Sequence, residues 1–241
     1  MKYLLILLMT FAFLSGCSKE KISASDSAKA DYEYAKHSID SGDYGKANRF
    51  LEKFSSKHPY SQHVAAAELL RIYAAFKNGE YILSETLSTR FITRHPRHPD
   101  MAYAQYMLAM SHLKQTVDFQ RDPAPAQHSI EAFNKLMKNF PESIYVSEAK
   151  IHLQRLRNKL AKHELYVGKF YFKHSKFVAA TNRFQMVLKE YQTSPAIEES
   201  LYYLSASFAA LKLTDNARDT AILLRHNYPK SDWSEKAAEF L

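Results

Sequence analysis

The sequence predicts an all-α solenoid, built from about five helix-turn-helix repeats and closed by a C-terminal helix. The 241 residues include only 5 Gly and 8 Pro, and 46% of them are apolar, which indicates few, long helices around a sizeable core. Sequences that stop helices return at intervals of 37, 45, 51 and 37 residues. Since Cys17 is the single cysteine, no disulfide can form within the chain. Packing between helices must therefore hold the fold together.

Residues 1–16 have the pattern of a lipoprotein signal peptide. Lys2 supplies a positive charge, and residues 3–13 form an apolar run that is too short for a membrane-spanning helix of about 20 residues. Leu14-Ser15-Gly16-Cys17 resembles a lipobox, in which the cysteine is lipidated and becomes the first residue after cleavage. We therefore expect Cys17 to carry a lipid anchor, which is stable when it has two or more acyl chains. The alternative is an ordinary secretion signal with a chance cysteine.

Residues 17–30 have the composition of a flexible tether, because Ile22 is their only large apolar residue. Lipoproteins kept in the inner membrane usually carry aspartate where this chain has Ser18, so resemblance to that sorting rule favours the periplasmic face of the outer membrane. The formal charge of +8 falls to +7 without Lys2. A basic chain suggests nucleic acid as a partner. Export argues against nucleic acid and favours acidic partners or anionic lipid headgroups.

From residue 31 onward each repeat ends at a helix stop. The stops are Lys57-His58-Pro59, Arg94-His95-Pro96, Asn139-Phe140-Pro141, Glu190-Tyr191-Gln192 and Asn227-Tyr228-Pro229. A small residue, which lets two helices approach closely, lies twelve positions before the last residue of each stop: Ala47, Ser84, Ser129, Ala180 and Ala217. An apolar residue lies five positions before the last residue of each stop: Phe54, Phe91, Leu136, Val187 and Leu224. The pattern resembles the tetratricopeptide repeat (TPR), a helix-turn-helix unit of about 34 residues.

The first helix of a repeat is apolar on most of its circumference, as residues 101–113 and 201–213 illustrate. Such a helix must be covered on all sides, so neighbouring repeats have to stack and leave a concave surface lined by first helices. Short turns are expected inside four repeats, at residues 41–44, 78–81, 175–177 and 214–216. The many tyrosines of the first helices belong either to the core or to the groove, and some must face outward because hydroxyls need partners.

Two repeats are longer than the others. In the third, residues 116–125 contain two prolines and are expected to form a loop. In the fourth, residues 143–174 should form one helix of roughly 45 Å. We expect it to join an N-terminal half, residues 31–142 with repeats 1–3, to a C-terminal half, residues 143–241. Five basic residues share one face of this helix, which is either solvated or a binding surface: Lys150, Arg155, Arg157, Lys159 and Lys162.

The chain carries no His-Glu-x-x-His, Gly-x-Ser-x-Gly or P-loop motif. Its 11 histidines include no pair four residues apart, and His95 and His98 flank prolines, which argues against a metal site. We expect no enzymatic activity, no metal and no cofactor.

The lipobox, repeats, third-repeat insert and long helix together resemble the BamD/ComL family, the lipoproteins of the machine that inserts outer-membrane β-barrels. The resemblance covers nearly the whole chain. Four stretches match family signatures: Pro59-Tyr60-Ser61-Gln62, Arg121-Asp122-Pro123, residues 157–164 (RNKLAKHE) and residues 177–183 (FVAATNR). Many unrelated scaffolds share the repeat alone, whereas the order and spacing of these motifs are more specific.

The resemblance implies a scaffold subunit of the β-barrel assembly (BAM) complex. Its implied partners are the barrel subunit, contacted through a POTRA domain, the other lipoproteins of the complex, unfolded β-barrel clients, and the membrane through the lipid. The residues carried over as partner-binding are Arg121, Asp122, Asn182 and Arg183.

The resemblance also implies that the N-terminal repeats receive the client's C-terminal signal, a short amphipathic strand ending in an aromatic residue. Aromatic surface can bury the terminal ring, polar groups can satisfy the peptide backbone and a lysine can meet the carboxylate. The residues offering this chemistry are Tyr60, Ser61, Gln62, Tyr73, Phe76 and Lys77. The alternative is that Tyr73 and Phe76 belong to the core.

Two other function classes stay open at this point. One is an envelope repeat lipoprotein that serves cell-wall or division proteins and would lack the Arg121-Asp122-Pro123 and Asn182-Arg183 motifs. The other is a periplasmic enzyme or a nucleic-acid binder, the latter suggested by charge alone.

Overall fold

The computed structural model describes residues 24–241, and the regular structure in this range consists of helices, which confirms the predicted fold class. The helices are α1 (Ala24–Asp40), α2 (Tyr44–Glu52), α3 (Phe54–Lys57), α4 (Val64–Lys77), α5 (Tyr81–Arg94), α6 (Met101–Gln115), α7 (Ala124–Asn139), α8 (Val146–Lys173), α9 (Phe177–Glu190), α10 (Ile197–Ala210), α11 (Thr214–Asn227) and α12 (Asp232–Lys236), followed by a 3-10 helix, Ala237–Phe240. Within the described residues, no helix combines the length and apolar character needed to cross a membrane.

The helices form five units in which a first helix packs on a second: α1 on α2, α4 on α5, α6 on α7, α8 on α9, and α10 on α11. The short α3 packs against α2 and α4. First helices of neighbouring units also contact each other: α1 contacts α4, α4 contacts α6, and α8 contacts α10. Second helices make no more than marginal contacts with one another in the described range. The first helices therefore line the inner side of the solenoid.

The second helix of every unit ends where the sequence predicts, at Lys57, Arg94, Asn139, Glu190 and Asn227. The next residue has nearly the same conformation in all five units, with φ between −123° and −136° and ψ between 42° and 59°. In four units a proline follows and disfavours the helical conformation of the residue before it. Tyr191 adopts the conformation without a following proline.

The turn inside four units contains one residue in the left-handed conformation, two positions before the second helix starts. Gly42 and Gly79 both have φ +80°, and Ser175 and Lys212 take their place with φ 57° and 63°. The turn predicted at residues 214–216 is wrong, because α11 already begins at Thr214. Acidic residues such as Asp215 are common in loops between helices and also in the first turn of a helix, and here Asp215 lies in the first turn of α11.

The positions predicted to pack between helices are buried. The five small residues are at most 3% exposed and the five apolar residues at most 2%. At two of the small positions a serine also donates a hydrogen bond to the first helix: Ser84 Oγ to the Ile72 carbonyl (3.2 Å) and Ser129 Oγ to the Ala109 carbonyl (2.9 Å). Such close approach would be lost with a larger side chain.

Helix α8 has 28 residues, which corresponds to about 42 Å. Its N-terminal part, up to Leu160, contributes to the core of the second and third units, whereas Leu165 packs with α9 and α10. Gly168 faces Phe184 of α9, where a Cβ would lie 2.5 Å from the nearest ring carbon. One helix therefore takes part in the cores on both sides of the division predicted at residues 142 and 143.

Two predicted loops are shorter than expected. Helix α1 begins at Ala24 and its Ala28 is buried, so the tether prediction is wrong for residues 24–30. The prediction relied on the lack of large apolar residues, but alanine can pack closely between helices. The signal peptide, the lipobox and residues 17–23 of the tether lie outside the described residues. The insert is a loop over residues 116–123, and Pro125 lies in the first turn of α7, where no backbone N–H is needed.

Candidate client and partner surfaces

The loop between α3 and α4, residues 58–63, presents three of the predicted client-binding residues. Tyr60 is fully exposed, Gln62 is exposed and Ser61 is half-buried. Ser61 shapes the turn, since its N–H donates to the His58 carbonyl (3.1 Å) and its Oγ accepts from the His63 N–H (3.1 Å). The loop, which we call the client loop, borders an open depression of about 430 Å³.

Ion pairs with Asp31 hold the start of the client loop, and we call this arrangement of an acid with a histidine and a basic residue an acid clamp. The buried His58 places Nε2 2.7 Å from Asp31 Oδ2 of α1, and Lys57 Nζ lies 2.6 Å from the same oxygen. Burial alone would raise the pKa of Asp31, but the hydrogen bonds from His58 and Lys57 hold this pKa below its usual value. The clamp thus fixes an ionised carboxylate beneath the loop.

The second unit repeats this clamp. His95 Nε2 lies 2.8 Å from Glu68 Oε2, and Arg94 Nη1 lies 3.0 Å from Glu68 Oε1. The sequence interpretation missed both clamps. The signal was present, because Asp31 and Glu68 are separated by the same 37 residues as His58 and His95.

The other three client candidates lie near the C-terminal end of α4. Tyr73 meets the ring of Tyr44 edge-on (6.2 Å between centroids), and Lys77 Nζ lies 5.7 Å from the centroid of the same ring. Phe76 packs against Tyr81 (5.5 Å) and borders the main core. Tyr73 and Phe76 are both half-buried, so neither is wholly a core residue. At 1.5 Å per residue, Tyr73 lies roughly 14 Å and Phe76 roughly 18 Å along α4 from the client loop.

Tyrosines at the junction of the third and fourth units form a cluster beside this surface. Tyr106 stacks on Tyr145 (4.7 Å), and Tyr103 lies 5.8 Å from Tyr145. Burial is the main cause that raises the pKa of Tyr103, and the neighbouring Tyr145 and Tyr73 raise it further. Burial and a hydrogen bond with Glu148 raise the pKa of Tyr106. These tyrosines are neutral structural groups rather than proton donors or acceptors at neutral pH.

Arg183 lies on α9 and is half-buried. Its Nη1 donates to Glu164 Oε2 of α8 at 3.0 Å, with 42% of the Arg183 side chain exposed and 15% of the Glu164 side chain. Because a guanidinium carries five N–H donors, this contact leaves others for a partner. Asn182 is exposed beside it, between Val178 (62% exposed) and Met186 (42%) at four-residue spacing. We call Val178, Asn182, Arg183 and Met186 the docking surface.

The insert is attached to α8 directly before Glu164. His163 Nδ1 lies 2.5 Å from the Phe119 carbonyl oxygen, and Lys162 Nζ lies 4.2 Å from the centroid of the Phe119 ring. Arg121 and Asp122 are exposed, and Asp122 Oδ1 accepts from the Ala124 N–H (2.9 Å) at the start of α7. The insert thus covers part of the basic face of α8.

The structure therefore divides the candidate residues into separate groups. The client candidates lie on the first and second units, at both ends of α4. The partner candidates on the insert and on α9 are tied to the consecutive residues His163 and Glu164.

Comparisons with known proteins place the chain in a family. A family model described as YfiO, outer membrane lipoprotein, matches residues 24–224. The chain is 32% identical over 234 residues to the outer membrane protein assembly factor BamD of Rickettsia prowazekii (strain Madrid E), covering 96% of this chain and 93% of that protein. The BamD of Neisseria meningitidis (strain DSM 15465 / Z2491) is 29% identical over 248 residues, with coverage of 96% and 93%.

Among solved structures, the TPR domain of P58(IPK) is similar with a TM-score of 0.47 and 14% identity, covering 88% of this chain and 54% of that one. With a family model that matches most of its length and a relative at 32% identity, the chain belongs to the YfiO family of outer membrane lipoproteins, the BamD family that its repeats and motifs predict.

Proposed function

We propose that this protein is a non-enzymatic, lipid-anchored scaffold at the periplasmic face of the outer membrane, where it acts as a subunit of the BAM complex. Support comes from relatives named as outer membrane protein assembly factors along nearly the whole chain. The observation that carries the proposal is the presence of two exposed surfaces on different units of one solenoid, the client loop and the docking surface. One would receive unfolded β-barrel proteins, and the other would dock on the barrel subunit's POTRA domain.

The client loop suits the amphipathic strand of a client signal. The exposed ring of Tyr60 offers an apolar face, and Ser61 and Gln62 offer polar groups to a peptide backbone. Lys77 lies about 20 Å away along α4, a distance that about six residues of extended strand would cover. The terminal ring and the terminal carboxylate of the client belong to one residue, so this residue would lie at Lys77, beside Tyr73 and Phe76. The preceding residues of the strand would then reach back to the client loop.

Photo-crosslinkers placed at Tyr60 and Gln62 should capture a peptide that carries such a signal, and a scrambled peptide should not be captured. Arg97 provides a matched control, because it is exposed and follows Pro96 as Tyr60 follows Pro59. Equal capture of both peptides, equal capture at Arg97, or capture only at positions after residue 143 would place the client elsewhere.

The docking surface suits a folded partner with a carboxylate beside apolar side chains. The planar fork of Arg183 can hold a carboxylate bidentately, and the exposed Val178 and Met186 lie on the same face of α9. The pair with Glu164 fixes the guanidinium in place before a partner arrives.

Arg183→Glu should weaken binding of the barrel subunit by roughly 2 kcal/mol or more if the contact is desolvated, which co-purification and titration can measure. Lys189→Glu is the control, since Lys189 lies on the same helix with 81% of its side chain exposed. Glu164→Gln removes the internal pair but leaves Arg183, and it should weaken binding less than Arg183→Glu does. Unchanged binding of Arg183→Glu, or equal losses in all three variants, would argue against this docking role.

A further inference from the structure

A second aromatic surface lies outside both proposed sites, between the first helices α8 and α10. Its open groove of about 500 Å³ is lined by Tyr166, Lys169, Phe170, Phe172, Lys173 and Tyr203, which we call the aromatic groove. Phe170 is 53% exposed and Tyr166 is 44% exposed. Exposed aromatic rings that line a concave surface commonly mark a contact with another molecule.

The floor of the groove is rigid. Tyr203 stacks on the fully buried Phe184 (5.7 Å between centroids) and meets the ring of Phe172 edge-on (5.4 Å). Lys169 Nζ lies 5.1 Å from the centroid of the Tyr203 ring and also pairs with Glu199. The floor is thus set before a ligand binds, which lowers the entropy cost of binding.

The rim of the groove is positively charged. Tyr166, Phe170 and Lys173 line the groove and follow each other at three- or four-residue spacing, so they share one face of α8. Lys173 makes no ion pair with any side chain that the structure describes, whereas Lys169 pairs with Glu199. The groove therefore combines apolar rings with one uncompensated lysine, Lys173.

We propose that the aromatic groove binds a linear acidic segment of a partner protein, with carboxylates next to an aromatic or leucine side chain. The apolar side chain packs on Phe170 and Tyr203, while a neighbouring carboxylate pairs with Lys173. The chain's own residues 17–23 do not fit, because they carry two lysines and one glutamate and would be repelled. This site is independent of the client loop and the docking surface, whose residues it does not include.

The test is titration of the full-length chain in detergent with a short labelled peptide that alternates acidic residues with Phe and Leu. A twin peptide in which Asn and Gln replace the acids serves as the neutral probe. We expect the acidic peptide to bind at least about tenfold more tightly than its twin, with an affinity that falls as salt increases.

Two variants of α8 should each weaken the acidic peptide about tenfold, Lys173→Glu by charge and Phe170→Ala by loss of the ring. Matched controls on the same helix are Lys150→Glu and Ile151→Ala, since Lys150 is exposed and Ile151 is 54% exposed, as Phe170 is 53%. The controls should bind normally, and thermal unfolding of all four variants identifies any that is misfolded.

Equal binding of both peptides, or no effect of Lys173→Glu and Phe170→Ala, would overturn the proposal. Vesicles of phosphatidylglycerol provide a further arm. If they bind the chain through Lys173 and Phe170 while the peptide does not, the groove is a lipid contact instead. Self-association of the chain that Phe170→Ala abolishes would make it an interface between copies and would equally overturn the proposal.

Discussion

Gly168 permits a close contact between α8 and α9, and replacing it with alanine is a direct test of this packing. A Cβ there would lie 2.5 Å from one ring carbon of Phe184 and 2.9 Å from two others. Carbon atoms in contact are normally about 3.5–4.0 Å apart. The ring has little room to withdraw, because Phe184 is fully buried and stacks on Tyr203.

Two effects of Gly168→Ala oppose each other. Overpacking costs about 1–3 kcal/mol, and the confined ring places this cost near the upper end. Replacing a glycine inside a helix with alanine contributes about 1 kcal/mol in the favourable direction. We expect a net loss of about 2 kcal/mol in the free energy of unfolding of the C-terminal half.

The single tryptophan is well placed to report this loss. Trp233 lies 5.9 Å from the Tyr203 ring, which in turn stacks on Phe184. Urea unfolding followed by Trp233 fluorescence should therefore give a lower midpoint for Gly168→Ala than for the unchanged chain.

Gly45→Ala is the matched control, because a Cβ at this position in α2 would meet Asn78 Oδ1 at an ordinary 3.4 Å. It should not lower the stability. Shrinking the ring in Gly168→Ala/Phe184→Leu should make the combined loss smaller than the sum of the two single losses. A Gly168→Ala protein as stable as the unchanged chain would refute the claim that this contact requires glycine.

Two further predictions concern the N-terminal part of the chain. Burial raises the pKa of Asp31, but the hydrogen bonds of the first acid clamp lower it, and the net shift is downward. The clamp therefore stabilises the fold above about pH 4 and loses this effect as the pH falls through the lowered pKa. Asp31→Asn should therefore lower the thermal unfolding temperature at neutral pH, with a deficit that shrinks below about pH 4; a constant deficit would contradict the ionised clamp. Mass spectrometry of the mature N-terminus should show an acylated Cys17, whereas an uncut Met1 or a free Ser18 would exclude the lipid anchor.

The sequence predicts the helix boundaries well because their signals are local. A proline restricts the residue before it, and a small residue is needed wherever two helices approach closely. The same reasoning fails where a signal is ambiguous. Asp215 and Asn216 suit a turn as well as a helix start, and the turn is instead made by Lys212 without a glycine. At the N-terminus, Ala28 is buried although no large apolar residue marks the segment.

The candidate surfaces are less accessible to sequence reasoning because they depend on contacts between distant residues. Tyr60 and Arg183 are named by their motifs, but the pair between Arg183 and Glu164 requires the register of α9 on α8. The attachment of Phe119 to His163 spans 44 residues and has no local signal. The acid clamps are the exception, because their signal is present in the sequence: Asp31 and Glu68 have the same 37-residue separation as His58 and His95.

The continuity of α8 has a mechanical consequence. Two stacks of repeats joined by a loop would bend at the joint, whereas here the junction is the interior of a helix whose backbone hydrogen bonds would have to break before it could flex. A force on α10 and α11 is therefore transmitted as a rotation or tilt of one rigid helix about 42 Å long. The N-terminal part of this helix is anchored among the buried side chains of the second and third units, so the force reaches these units through a single element.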